Sequence, residues 1–298
     1  MANLKEIRSR IASVISTQQV TSAMKMVSAA KLRKAQDAIH MMRPYADKLN
    51  EILTIVNSNL DSSIDNKYAA RKEERKTLIV AITSNRGLCG GFNSNVIKKT
   101  SELYFQTFKD EARKGNVDVI SIGKKGTEGL KNKGIKVSKS FIEIYDGLNF
   151  ISVSEITKFL TDAYIDGTYD RIELVYNQFK NAAVQNLVNE QFLPIKEAEQ
   201  NLNPTVKGEF RPWYIFEPSM QEIADKIIPQ SLIIQFYKAM LDSVASEHGA
   251  RMTAMHMATD NAGDLIRELK LQYNQARQTS ITNEILEIVS GANAQQNS

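Results

Sequence analysis

The fold of this chain is decided close to its C-terminal end, where residues 241–276 read LDSVASEHGARMTAMHMATDNAGDLIRELKLQYNQA. Apolar and small side chains recur there at steps of three and four residues, which places them on one face of a helix. The face comprises Leu241, Val244, His248, Arg251, Met255, Ala258, Ala262, Leu265, Leu269, Gln272 and Ala276. A stripe of this period is typical of a helix that packs along its length against a second helix, although polar residues interrupt it.

The same helix is predicted to extend well beyond the quoted stretch. Ser219 is a good N-cap with Glu222 three residues later, which predicts the helix start. Only Pro229, Gly249 and Gly263 disturb the pattern before residue 290. Such a helix would be about 100 Å long at 1.5 Å per residue, too long for one globular core to cover. We therefore expect it to lie on another long helix, on partner proteins, or on both.

A second long helix is predicted over residues 1–57. Its packing face is apolar at both ends and polar in the middle, and Pro44 should kink the helix without ending it. The face comprises Leu4, Ile7, Ile11, Val14, Gln18, Thr21, Lys25, Ser28, Leu32, Ala35, Ile39, Met42, Ala46, Leu49, Leu53 and Val56. Across the polar part the apolar stripe moves to Ala23, Met24, Val27 and Ala30. We expect the helix to change partner there or to be enclosed on several sides.

The two predicted helices carry opposite net charges. Residues 1–57 contain nine Lys and Arg against four Asp and Glu, whereas residues 219–290 contain six against nine. Because a whole domain separates the helices in the chain, an antiparallel pair is favoured. The C-terminal helix is the longer, so its end near residues 277–289 should have no partner within the chain. Because that end is still apolar, a contact outside the chain is predicted. The apolar residues there are Ile281, Ile285, Leu286, Ile288 and Val289.

Between the helices the pattern alternates between strands and shorter helices. Apolar runs predict strands, and amphipathic stretches between them predict helices. The strands are predicted at 77–83, 118–122, 137–145 and 171–176, and the helices at 93–114, 126–133 and 153–164. This alternation is typical of a parallel sheet covered by helices, to which residues 183–194 add an edge strand. The predicted fold class is therefore α/β plus a long antiparallel α-helical coiled coil, in which the two terminal helices form a rod.

The predicted domain boundaries follow from these elements. Residues 1–57 form the first helix, 58–76 a polar linker and 77–216 the inserted α/β domain. Residues 217–290 form the second helix, and 291–298 a flexible tail.

Composition limits the function classes. A single cysteine, Cys89, rules out an intrachain disulfide framework, and a net charge of +4 does not by itself demand nucleic acid. No run of eighteen apolar residues is present, so no membrane insertion is expected.

The sharpest local motif follows the first predicted strand and reads TSNRGLCGGFNSN over residues 83–95. A glycine turn before a helix can hold phosphate. The spacing, however, matches neither the dinucleotide fingerprint nor a phosphate loop with Gly-Lys-Ser/Thr. A tight structural turn is the better interpretation, and nucleotide binding is the alternative.

The remaining candidates for chemistry are weaker. Cys89 has no evident base, because the three histidines fall in the long helices. His248 and His256 with Met252 and Met255 could hold a soft metal, but the histidines are eight residues apart and packing along the helix face explains them better. The basic first helix lacks aromatic residues before Tyr45, so an acidic protein partner or solvent explains its charge better than nucleic acid or lipid. No catalytic, cofactor or metal site is predicted.

Several segments resemble the gamma subunit of F-type ATP synthases, of bacterial type. MANLKEIRSRI at 1–11 and TSAMKMVSAAKLR at 21–33 resemble its first helix, and SNRGLCGGFN at 84–93 resembles its turn after the first strand. ASEHGARMTAM at 245–255 and YNQARQTSITNE at 273–284 resemble its last helix. The resemblance covers the whole chain, and it implies an antiparallel coiled coil with an inserted Rossmann-like domain.

The resemblance also implies a function and partners. Gamma is a non-catalytic rotor shaft inside three alpha and three beta subunits, and its foot rests with epsilon on the membrane c ring. Proton flow turns the foot, and the shaft drives the catalytic sites through their states. The implied location is peripheral, on the cytoplasmic side of the cell inner membrane, without cofactors and without nucleic acid.

The resemblance further implies contact residues. Arg277, Gln278 and Thr282 match residues that contact a loop of beta. Met24 and Arg251 match a part of the shaft, called the neck, that passes an acidic segment of beta, called its acidic lever. Phe216 and Glu217 match the contact of the foot with the c ring. The alternative function is a nucleotide-binding α/β enzyme whose long helices are dimerisation arms, and a helical nucleic-acid-binding protein is a third hypothesis.

Overall fold

Two long helices precede and follow a run of alternating strands and shorter helices. The computed structural model describes residues 4–59, 67–68, 76–195, 217 and 220–296. Most of the predicted linker at 58–76, and the predicted loop at 197–216 that ends at Phe216, lie outside the described residues. The elements are α1 (Leu4–Asn59), β1 (Thr77–Ile82), α2 (Phe92–Glu102), a π-helical turn (Leu103–Thr107), α3 (Lys109–Arg113), β2 (Val117–Ile122), α4 (Lys124–Asn132), β3 (Val137–Phe141), a 3-10 turn (Glu143–Asp146), α5 (Phe150–Ile165), β4 (Arg171–Phe179), β5 (Gln185–Leu193) and α6 (Met220–Gln296).

The largest differences from the predicted bounds concern three elements. The predicted helix at 93–114 is divided into α2 and α3 by the π-helical turn. The third strand ends at Phe141 and passes into a 3-10 turn, instead of continuing to residue 145. The helix α6 continues to Gln296, because a single glycine, Gly291, costs a helix only about 1 kcal/mol and alanines and glutamines follow it.

The five strands form one mixed sheet in the order β3-β2-β1-β4-β5. The first four strands of that order are mutually parallel, and β5 pairs antiparallel with β4 at the edge. The α/β fold class and the added edge strand are thus confirmed.

The central strand β1 is buried on both faces. Alternate residues point to opposite sides of a strand, so Leu78, Val80 and Ile82 enter one core and Ile79 and Ala81 enter another. The second core is covered by α2 and α4, through residues such as Val96 and Leu130. A continuous apolar run therefore predicted a doubly covered strand correctly.

The first core is covered by α5 together with part of α6. Leu232, Phe236 and Met240 of α6 lie in the same cluster as Leu160 and Tyr164 of α5. Phe236 and Met240 are completely buried. Residues 228–240 of the C-terminal helix are therefore a structural part of the α/β domain.

The chain divides into two compact units, residues 30–250 and residues 1–29 with 251–298. Both long helices cross this division, so the predicted boundaries near residues 57 and 217 stay predictions. Within residues 30–250, Ala46 and Leu49 of α1 pack against Ile234 of α6. Among the described residues, no helix combines the length and the apolar character needed to cross a bilayer.

Truncation of Phe236 tests whether α6 is part of the domain core. We expect Phe236→Ala to lower the free energy of unfolding by about 3–5 kcal/mol, because a completely buried aromatic side chain leaves a cavity. Urea unfolding followed by circular dichroism measures this. The control Leu271→Ala, at a leucine that is 65% exposed, should change the value by less than about 0.5 kcal/mol. Equal effects of the two substitutions would contradict this packing.

Candidate functional site

The glycine turn after β1 is held by its own side chains. Asn93 accepts a hydrogen bond from the backbone N–H of Ser84 at 2.9 Å and donates from Nδ2 to Ser84 Oγ at 2.8 Å. Asn93 Nδ2 also lies 3.2 Å from the Sγ of Cys89, which is 2% exposed. Leu88 and Gly90 take positive φ values of 62° and 57°, which closes the turn tightly. Cys89 is thus packed inside the turn, where attack on a substrate is blocked.

The backbone donors that could hold a phosphate at α4 are already occupied. The N–H of Lys124 donates to Asn85 Oδ1 at 3.0 Å, and that of Gly126 donates to Thr83 Oγ1 at 2.9 Å. The N–H of Lys125 donates to the carbonyl of Ser84 at 3.1 Å. A helix N-terminus binds anions through such unpaired N–H groups, and here the chain itself satisfies them. This geometry disfavours a phosphate at the N-terminus of α4, whereas the glycine motif at 83–95 precedes α2.

The helix α6 also lies against this edge of the sheet. Ala250 packs with Cys89 and Phe92 in a small buried cluster. A Cβ built on Gly249 would lie 3.2 Å from Ala182 Cα, so the helix backbone approaches the turn between β4 and β5 closely. In open α/β sheets, ligands bind outside the carboxyl ends of the strands. Here that space is filled in part by the protein's own helix.

In the unit formed by residues 1–29 and 251–298, α1 and α6 pair through polar side chains. The hydroxyls of Thr21 and Thr259 are 2.8 Å apart, and Gln18 Nε2 donates to the Thr259 carbonyl at 3.4 Å. Lys25 Nζ lies 3.4 Å from His256 Nδ1. Partner numbers in α6 fall as those in α1 rise, so the pair is antiparallel, as predicted.

The apolar residues of α1 next to this polar contact are not part of it. Ala23, Val27 and Ala30 are exposed and Met24 is half-buried, so the apolar stripe that moves to these residues is largely uncovered in the described chain. The expectation that the helix changes partner there, or is enclosed on several sides, stays a prediction. The polar pairs satisfy one another, and the packing face stays on Gln18, Thr21 and Lys25. An exposed apolar face is left on α1, which includes Val20, Met26 and Val27 at 55%, 65% and 56% exposure.

The end of α6 is exposed throughout. Every residue from 277 to 293 is exposed. Five of them are large and apolar, and their exposed fractions lie between 46% and 70%. They are Ile281, Ile285, Leu286, Ile288 and Val289. Large contiguous apolar surface of this kind marks sites of protein contact.

The predicted contact residues have different surroundings. Arg277, Gln278 and Thr282 are exposed near the end of α6, and the Thr282 hydroxyl donates to the Gln278 carbonyl at 3.0 Å. Arg251 is only 7% exposed. Glu217 is exposed at a bend.

The soft-metal hypothesis at His248 and His256 is not favoured by the geometry. Met255 is buried, whereas His256 is exposed and places its Nδ1 3.3 Å from Asp260 Oδ2. Within the described residues, no three His, Cys, Asp or Glu side chains are grouped so that they could hold a metal ion.

A cavity near Asp242 was not predicted from the sequence. It has a volume of about 580 Å³ and lies within residues 30–250, between α1, α6 and the strands β4 and β5. Asp242 lines the cavity although it is only 6% exposed. Burial raises the pKa of the Asp242 carboxyl to about 6, while Lys238 and Arg43 oppose the rise. A carboxylate within the apolar segment FYKAMLDSVA, at 236–245, was the only sequence signal of this site.

The raised pKa of Asp242 predicts how stability depends on pH. The folded-state pKa of about 6 exceeds the ordinary value of 3.8, so the charged carboxylate destabilises the fold above pH 6. This cost disappears as the pH falls below about 4. We expect Asp242→Asn to raise the free energy of unfolding by about 1–3 kcal/mol at neutral pH and to have little effect at pH 4.

Urea unfolding at the two pH values measures this difference. The control Asp264→Asn alters a carboxylate whose side chain is 70% exposed in a surface pair with Arg267 and should show little dependence on pH. The same gain for Asp242→Asn at both pH values would show that the carboxylate is not penalised by burial.

Comparison with solved structures supports the fold. A chain in the structure of the Tetrahymena thermophila mitochondrial ATP synthase central stalk and c-ring is 27% identical with a TM-score of 0.58, covering 80% of this chain and 99% of that one. A chain of the Euglena gracilis mitochondrial ATP synthase has a TM-score of 0.65 at 21% identity, covering 98% and 94%.

Comparison of sequences identifies the family. The ATP synthase gamma chain of Flavobacterium psychrophilum is 55% identical over 294 residues, which cover 99% of each chain. That of Cytophaga hutchinsonii is 49% identical over 297 residues, which cover both chains completely. A family model described as ATP synthase matches residues 3–295. With relatives this similar over its whole length, the chain belongs to the ATP synthase gamma chain family.

Proposed function

We propose that this chain is the central rotor shaft of an F-type ATP synthase. It couples ion flow through the membrane c ring to ATP synthesis or hydrolysis on a hexamer of three alpha and three beta subunits. The single observation that carries the proposal is the end of α6, where every residue from 277 to 293 is exposed and apolar side chains recur. A helix end of this kind needs a surrounding partner, and we propose that the hexamer of alpha and beta subunits is that partner.

The continuity of α6 supports a mechanical role. Its residues 228–240 are part of the core of the α/β domain, and the same helix continues to Gln296. We propose that a rotation imposed on the domain is transmitted along this continuous helix to its exposed end. The catalytic sites of the hexamer then contact different faces of the helix. Each contact favours a different conformation of its site, so the conformational equilibrium differs from site to site.

The proposal assigns Arg277, Gln278 and Thr282 to contact with beta, and their exposure is compatible with this role. Met24 and Arg251 belong to the neck that passes beta's acidic lever. Because Arg251 is only 7% exposed, its role there is to hold the helices in place more than to reach a partner directly.

The foot of the shaft would rest on epsilon and the c ring, and Phe216 and Glu217 are assigned to the c-ring contact. Glu217 is exposed at a bend beside the start of α6. The chain would be peripheral on the cytoplasmic side of the cell inner membrane.

The shaft itself is proposed to be non-catalytic. The burial of Cys89 inside the glycine turn and its contact with Ala250 argue against the alternative, a nucleotide-binding enzyme with helical dimerisation arms. Nucleotide would bind on alpha and beta.

Reconstitution tests the proposed function. We expect the purified chain to neither bind nor hydrolyse ATP, and to restore ATPase activity when it is added to alpha and beta subunits, because the shaft imposes the asymmetry that the catalytic sites need. Calorimetric titration and phosphate release measure the two properties, and alpha plus beta alone is the control. Saturable nucleotide binding by the isolated chain in the millimolar range or tighter would favour the enzyme alternative instead.

A charge at Met24 tests the placement of the neck. We expect Met24→Lys to lower the number of protons pumped per ATP hydrolysed in membrane vesicles, because an additional cation would meet the acidic lever of beta. Thermal unfolding should change little, since Met24 is only half-buried. The control Met24→Leu keeps an apolar side chain and should couple normally. Normal coupling by Met24→Lys would show that Met24 does not lie at this crossing.

A further inference from the structure

We propose that the cavity between α1, α6 and the strands β4 and β5 binds a small zwitterionic molecule with an apolar stem. Its ammonium group would pair with Asp242, and its carboxylate would lie near Arg43 and Lys238. This inference is independent of the rotor function, since it concerns a site within residues 30–250 that no step of coupling requires.

The carboxylate of Asp242 is the acceptor that a ligand would find in this cavity. It is 94% buried, lines the cavity, and makes no hydrogen bond or ion pair to any described residue. Burying a charged group without a partner is costly, so a donor from a ligand would relieve that cost.

The neighbouring carboxylate, Glu190, is already satisfied. Its Oε2 accepts from the Tyr176 hydroxyl at 2.8 Å, and its Oε1 accepts from Gln235 Nε2 at 2.6 Å. Each oxygen of Glu190 therefore already accepts one hydrogen bond, so Asp242 is the carboxylate that gains more from an added donor.

Two cations complete the charge pattern. Arg43 and Lys238 line the same cavity, are exposed, and act electrostatically on Asp242. A simple cation would be opposed by these two side chains, and a simple anion would be opposed by the carboxylates. A zwitterion satisfies both signs, because its carboxylate can pair with Arg43 and Lys238 together while its ammonium reaches Asp242.

Part of the cavity wall is apolar. That part is formed by buried residues, which include Ile39, Leu49, Leu232 and Ile234. A volume of about 580 Å³ lies within the range of about 300–1,000 Å³ that small-molecule sites occupy. The ligand class is therefore an ammonium and a carboxylate joined by a stem of several carbon atoms.

Three matched probes test this inference on the full chain, namely 6-aminohexanoate, hexylamine and hexanoate. Ligand-observed NMR titration at neutral pH, where Asp242 is charged, measures their affinities. We expect 6-aminohexanoate to bind at millimolar concentrations and each singly charged probe to bind at least about tenfold more weakly, which is about 1.4 kcal/mol.

Two variants locate the binding. Asp242→Asn and Lys238→Gln should each weaken 6-aminohexanoate at least about tenfold, whereas Asp264→Asn, outside the cavity, should leave the affinity unchanged. Lys238 is exposed, so its substitution reports on binding even where Asp242→Asn alters the fold. Equal binding of hexylamine and 6-aminohexanoate, no saturable binding of any probe, or wild-type affinity in Lys238→Gln would overturn the proposal.

Discussion

The packing of α6 onto one face of the sheet is the interaction on which the rest of the structure depends. Leu232, Phe236 and Met240 enter the same core as the sheet residues Leu78 and Val80. Residues from opposite parts of the sequence must therefore meet before the α/β domain is complete, and such non-local contacts are formed late and cooperatively. The same packing fixes residues 228–240 of α6 to the sheet.

That packing also limits what the domain can do. The order β3-β2-β1-β4-β5 is that of a sheet which could hold a ligand beyond its carboxyl ends. In this chain the turn after β1 satisfies its own donors, and α6 brings Ala250 against Cys89 at that edge. The sheet keeps the architecture of a nucleotide-binding domain while its usual ligand space serves to anchor a helix.

The sequence predicted the elements whose pattern is local. The apolar runs located all five strands, and the steps of three and four residues along α1 located residues that are buried or half-buried from Leu4 to Leu49. The three- and four-residue pattern failed where helix geometry, or contacts with residues distant in the sequence, determine which side chains are buried. Gln272 was assigned to the packing face, but it is exposed and Tyr273 is half-buried, because a straight helix drifts from a period of 3.5 residues.

The cavity at Asp242 needed information that no local pattern contains. Arg43, Glu190 and Asp242 are brought together only by the fold, from α1, β5 and α6. Similarly, the sequence did not show that Gln18 and Thr21 of α1 would both pair with Thr259 of α6.

Stability is distributed unevenly along the chain, because most of the buried apolar residues lie within residues 30–250. Outside residues 30–250, the buried apolar residues of the described chain are few, namely Ile7, Met255, Ala262, Ile266 and Leu269. Hydrogen bonds such as Thr21 to Thr259 contribute only about 1 kcal/mol each. A long helix gains most of its stability from the burial of an apolar face. The ends of α1 and α6 therefore depend on a surrounding partner to cover Val20, Met26 and the apolar end of α6, which fits a shaft that works inside a ring of other subunits.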